Sequence, residues 1–250
     1  MNFLAHLYLA EPGGPSMIGN LLPDLVRGGA AREAGPGLDP RVAAGAARHR
    51  RVDRLTDAHP AHCRAVVRLR PRHGRFAPIL ADVMFDHCLA RHWARWGGGT
   101  TLRRFVDGAY EAMLGAGALT PTPMRPILAR MAREDWLGSY ATSEGVGARF
   151  EQMAARFARR WGRSFDPAAA VDDMRADREA LTESFEAVMS DLLESFEAQA
   201  QAVPNCKTPL PNAPALTPAS AASSPSPATS ASPGEARPCP RSPPAPPRPS

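Results

Sequence analysis

Several absences bound what this chain can be. Its four cysteines, Cys63, Cys88, Cys206 and Cys239, include no C-x-x-C pair and no regular spacing. That excludes a thiolate zinc site and a disulfide framework, and it fits a reducing cytoplasm. No apolar run reaches the roughly 18 residues of a membrane span, and the apolar stretch Met1–Ala10 lacks the basic flank of a signal peptide. β-branched runs are few and no alternating pattern lasts, so a sheet has nothing to build on. There is no glycine-rich phosphate loop, nucleophile elbow or H-E-x-x-H, which removes P-loop, serine-hydrolase and zincin chemistry. Lysine is almost absent: Lys207 stands alone among 30 basic residues, a bias that says little about function.

The last fifth is the one region rich in a single residue type. From Pro204 to Ser250 it holds 15 of the chain's 27 prolines, with almost no large apolar residue beyond Leu216. Such a segment cannot bury enough surface to offset the entropy of ordering, so a disordered tail is expected. Residues 1–203 remain as one folded domain, ample for a single core. Charge is uneven: residues 1–108 balance to +7, residues 109–203 to −5 and the tail to +3. The basic half suggests an anionic substrate or partner, with neither nucleic acid nor a membrane expected.

What is present reads as helix throughout, so the fold class is all-α. Expected helices cover residues 2–10, 16–28, 40–58, 60–70, 76–96, 100–115, 121–133, 143–162 and 167–200. In the second, Ser16 reads as the N-cap and Gly28-Gly29 as the stop. Its stripe is Ile18, Leu21, Leu22, Leu25 and Val26, and Asp24 falls at the edge one turn after Asn20. Residues 30–38 form a Gly/Pro loop, and Asp39-Pro40 opens the third helix. There His49, Asp53 and Asp57 follow at i, i+4, i+8 and line one face. In the 76–96 helix, Asp82 and Asp86 sit one turn apart beside His87, on a broad apolar stripe. The later periodic sets, Phe150-Met153-Phe157-Trp161 and Leu181-Phe185-Val188-Leu192-Phe196, read as core.

A carboxylate beside a buried stripe is costly unless a positive charge meets it. Acids spaced i, i+4 from arginines are usually solvated pairs, and Asp57, Asp82 or His92 alone would be read so. Four helices each presenting His or Asp on or beside an apolar stripe are better explained by a shared divalent cation. Imidazole and carboxylate without thiolate favour Mn²⁺, Mg²⁺, Fe²⁺ or Zn²⁺. The matching chemistry is activated water attacking phosphorus or carbon.

Four motifs then carry a resemblance. They are Asn2-Phe3-Leu4-Ala5-His6-Leu7-x-Leu9-Ala10, Gly19-Asn20-Leu21-Leu22-Pro23-Asp24-Leu25-Val26-Arg27-Gly28, His49-Arg50-Arg51-Val52-Asp53-x-x-Thr56-Asp57-x-x-Pro60, and Asp82-Val83-Met84-Phe85-Asp86-His87-x-Leu89-Ala90-Arg91-His92-Trp93. Over residues 1–96 the chain resembles the acyl carrier protein phosphodiesterases, which look like a divergent branch of the HD-domain metal phosphohydrolases. The resemblance implies hydrolysis of the diester joining 4′-phosphopantetheine to the serine of holo acyl carrier protein, with Mn²⁺ as the expected ion. It sets His6 and Asp24 in the superfamily's metal-ligand positions, and Pro23 where a second His is usual. His49 or His87 is expected to replace that ligand, with Asp86 as the distal acid and Asp82 a further possibility. Arg27, Arg50 and Arg51 are the candidate phosphate-facing cations. The attacking hydroxide is generated either by the ion alone or with Asp53 or Asp82 as base. An HD-type hydrolase of a nucleotide such as guanosine tetraphosphate, or a non-catalytic helical module, are the alternatives.

Overall fold

The computed structural model describes residues 1–26 and 37–202, and every regular element among them is helical. The proline-rich tail, Arg27, the Gly28-Gly29 stop and most of the 30–38 loop lie outside the described residues. The α-helices are α1 (Phe3–Tyr8), α2 (Gly14–Leu25), α3 (Pro40–Ala58), α4 (Pro60–His73), α5 (Ala77–Arg91), α6 (Trp93–Trp96), α7 (Leu102–Gly115), α8 (Arg125–Arg133), α9 (Ser143–Trp161), α10 (Pro167–Ala176) and α11 (Arg178–Ala202). None is long and apolar enough to cross a membrane.

The axis of the core is α5. Residues Val83 through Ala90 are all buried, including Asp86 and His87, so this helix is enclosed on every side rather than along one stripe. It packs against α1, α4, α9 and α11. Phe85 of α5 meets the Phe185 ring of α11 edge-on at 6.0 Å. Several expected boundaries move, and α4 runs on to His73 while α8 starts only at Arg125. Helix α2 begins at Gly14, because Gly13, at φ 108°, turns the chain into it and Pro15 occupies its first turn; Ser16 is interior. The stretch expected at 76–96 breaks at His92, which separates α5 from α6. The expected 167–200 helix breaks at Asp177, with α10 packed on α9 and α11 on α4 and α5.

The closest crossing sets the site. Helices α2 and α3 make the most extensive contact among the described elements, and they meet at two glycines. A Cβ on Gly19 would lie 2.1 Å from the Val42 carbonyl oxygen, and one on Gly45 would lie 2.3 Å from that of Ser16. Only glycine permits this approach, which brings the backbone of Asn20 to the face of α3 that carries His49.

Candidate active site

His49 is buried, and its Nδ1 stands 2.6 Å from the Asn20 carbonyl oxygen. A carbonyl only accepts, so Nδ1 carries the proton and donates, leaving the Nε2 lone pair of the neutral ring turned the other way. Nε2 faces Asp53 Oδ2 at 3.1 Å and Asp24 Oδ1 at 3.7 Å. Pro23 lies inside α2 and delivers Asp24 at its last turn.

From α1, His6 stacks on His49 with ring centroids 3.9 Å apart and planes 19° from parallel. Its Nε2 lies 3.2 Å from Asp53 Oδ1 but off the line of a hydrogen bond, so both of its buried ring nitrogens go unpartnered. Ligand atoms of His6, His49 and Asp53 lie within 4.8 Å of one another, the one such group of three among the described residues. Asp24 stands at its edge with 40% of its side chain accessible. The unpartnered His6 nitrogens and the His49 Nε2, turned on one carboxylate, form a donor set that a divalent cation would complete.

Electrostatics separate the two acids. Burial alone would raise the Asp53 carboxyl, but the two facing imidazoles hold it far below the ordinary range. The protein around Asp24 withdraws it from bulk water and raises its pKa, against the pull of His49 and His6. Burial, and then the neighbouring His49 ring, lower the pKa of His6 against Asp53. For His49 burial also acts downward, but Asp53 and Asp24 outweigh it and the pKa rises. A carboxyl lowered at Asp53 and one raised at Asp24 therefore sit side by side.

Asp24 and Asp53 open into a cavity of about 270 Å³ together with Asp57 and Asp82. Its other wall carries Phe3, Ile79, Trp136 and Met153, with Arg130 from α8 and Arg149 and Arg156 from α9. Arg130 and Arg149 both stand over the Trp136 ring, at 5.1 and 5.2 Å. These arginines lie outside the four motifs, so nothing in the sequence marked them.

Other expected site residues are placed elsewhere. Asp86 accepts from the backbone N–H groups of Asn2 (3.2 Å), Leu4 (2.6 Å) and Ala5 (3.2 Å), and so caps α1 rather than joining the cluster. Its burial pushes the carboxyl up to about 7 despite those donors. His87 turns Nδ1 to the Tyr140 carbonyl oxygen at 2.7 Å, away from His6 and His49. Asp82 reaches the cavity but binds the Met1 ammonium at 2.8 Å and His62 Nε2 at 3.1 Å. Arg51 reaches across to α11, bonding Gln199 and the Ser195 hydroxyl, and Arg50 is exposed and lines no cavity described here. Cys63 and Cys88 form no disulfide among the described residues, and the Cys63 thiol donates to the Asp57 carbonyl oxygen at 3.4 Å.

No solved structure matches the chain. A family model described as acyl carrier protein phosphodiesterase matches residues 1–192. Proteins of that name are similar to it in Serratia proteamaculans (41% identical over 158 residues, 62% of this chain and 79% of the relative), in Yersinia pestis (38% over 156 residues) and in Pectobacterium atrosepticum (37% over 156 residues), the last two with the same coverage. With the match running through the two motif halves of the centre and on to the arginine-bearing helices, the chain belongs to the acyl carrier protein phosphodiesterase family.

Proposed function

We propose that this protein is a cytoplasmic, metal-dependent hydrolase that cleaves 4′-phosphopantetheine from the serine of holo acyl carrier protein. The observation that carries the metal dependence is the pair of stacked, buried imidazoles whose Nε2 atoms converge on Asp53, that of His6 without a hydrogen-bond partner. His6, His49 and Asp53 would hold the cation, with Asp24 beside them, and Mn²⁺ is the ion we favour over Mg²⁺ or Fe²⁺. When bound, such an ion acts as a Lewis acid and lowers the pKa of a water nucleophile.

The chain's own residues supply the rest. Asn20 fixes the tautomer of the neutral His49 ring, so that form offers its Nε2 lone pair to the centre. Asp53 stays ionised throughout. Water adds to phosphorus, the bond from phosphorus to the serine oxygen breaks, and that oxygen takes up a proton. Asp24, with its raised carboxyl, suits passing the proton from the attacking water to the serine oxygen. Arg130, Arg149 and Arg156 face the same cavity and offset the charge of the phosphate as it reorganises.

The test uses purified protein, metal-stripped and then reloaded with Mn²⁺, mixed with holo carrier and followed by mass spectrometry. Loss of the prosthetic group only after reloading is expected, with guanosine tetraphosphate left intact. Turnover undiminished by chelation would refute the metal centre. A saturating ion should also raise the melting temperature, by about 3 kcal/mol of stability at a hundredfold excess over Kd, and not in His49→Ala.

A further inference from the structure

A second cavity, about 400 Å³, adjoins the first and shares Asp24 and Arg156 with it. Its remaining walls come from Leu25 and from the last turns of α9: Phe157, Arg159, Arg160 and Trp161. The two cavities differ in character. The first sets four acids and Arg130, Arg149 and Arg156 opposite the apolar side chains of Phe3, Ile79, Trp136 and Met153, room for a slender arm with both polar and apolar groups, whereas the second has Asp24 as its one acid against three arginines. The second is wider and rimmed by cations, with Trp161 43% exposed at its edge.

Arginine pairing is mixed across the molecule, and Arg50, Arg54 and Arg104, away from both cavities, form no ion pair among the described residues. Away from the cavities Arg41, Arg48, Arg68, Arg72, Arg95 and Arg103 each meet a carboxylate within 4.0 Å. Arg159 and Arg160 are exposed and, among the described residues, form no ion pair. Between residues 149 and 163 stand five arginines and one acid, Glu151, inside a half of the chain that is acidic as a whole. A rim on which Arg159 and Arg160 meet no carboxylate gains by meeting an acidic surface. The chain's own tail, at +3, is the wrong sign to cover it.

We infer that the joined cavities divide the substrate: the pantetheine arm enters the first, and an acidic face of the carrier protein lies on Arg159, Arg160 and Trp161 over the second. The scissile phosphodiester is then held at the junction, between Asp24 and Arg156. This rests on the proposed function and adds the direction in which the substrate lies.

The experiment compares wild type with the double variant Arg159→Glu, Arg160→Glu, both loaded with Mn²⁺, on holo carrier and on bis(p-nitrophenyl) phosphate. The expected result is a KM for holo carrier raised about tenfold or more and less sensitive to salt. The ratio of that KM to the KM for the small diester rises with it, and Arg159→Lys, Arg160→Lys restores it. Wild-type turnover of holo carrier with the same KM in the Glu variant overturns the division and leaves the proposed function standing. So does retention of wild type, but not the Glu variant, on single-stranded nucleic acid with carrier KM unmoved. Failure of wild type to process holo carrier at all overturns the proposed function itself.

Discussion

Two buried groups of imidazole and carboxylate flank α1, built from the same residue types and opposite in purpose. On one side His62 binds Asp82, and the Met1 ammonium already neutralises that carboxylate. On the other, His6 and His49 share Asp53, which pairs with no arginine or ammonium among the described residues, and both nitrogens of His6 go without a hydrogen bond. The first group closes its own charge and holds the start of the chain to α5. The second is open on the side that faces the cavity. Residue type does not separate structural from chemical groups here; unmet bonding capacity does.

The largest test of that contrast is His49→Ala. It removes a ligand and should lower turnover of holo carrier about 10³-fold, the loss of several kcal/mol of charge stabilisation, while urea unfolding moves far less. Asp82→Asn should do the reverse. Leaving an ammonium and an imidazole unpaired in the core should cost about 3 kcal/mol in urea unfolding, with turnover within a few fold. A pH series sharpens this pair. Burial opposes the Met1 charge, but Asp82 outweighs it and raises the amine to about 10 from an ordinary value of 8.0. A raised pKa gives stability that is complete below pH 8 and lost as pH climbs through 10. Wild type should therefore lose about 2 kcal/mol between pH 7.5 and 10.5, and Asp82→Asn much less.

Gly45→Ala lies between the two extremes. Its new methyl group meets the Ser16 carbonyl oxygen, so α2 and α3 must part, at about 1–3 kcal/mol and with weakened Mn²⁺ retention measured by metal analysis. The smallest effect belongs to Arg51→Ala. Its partners are on α11, so turnover should hold within twofold and stability within about 1 kcal/mol.

Much of this was legible in the sequence. Helical periodicity and the absence of alternation gave an all-α fold, and the i, i+4 spacing put His49 and Asp53 on one face. His6 and Asp24 were marked by their motifs. Asp86 was not separable from them, because its partners are backbone N–H groups more than eighty positions away, which leave no side-chain signature. The summed charge of the halves misdirected the search for cations. Arg50 and Arg51 lie in the basic half yet line no cavity described here, whereas Arg130, Arg149 and Arg156 come from the acidic half. A half-chain sum averages away a patch only a few helical turns long. The break at Asp177 had no glycine or proline to announce it.

The bare crossing of Gly19 and Gly45 makes cation affinity a gauge of interhelical spacing. The tautomer of His49 is set by a carbonyl on the neighbouring helix, so a slight loosening of that pair spoils the donor geometry long before any helix unwinds. Gentle heating should therefore release the ion ahead of the loss of helical circular dichroism, and inactivation would be a local event with the scaffold still standing.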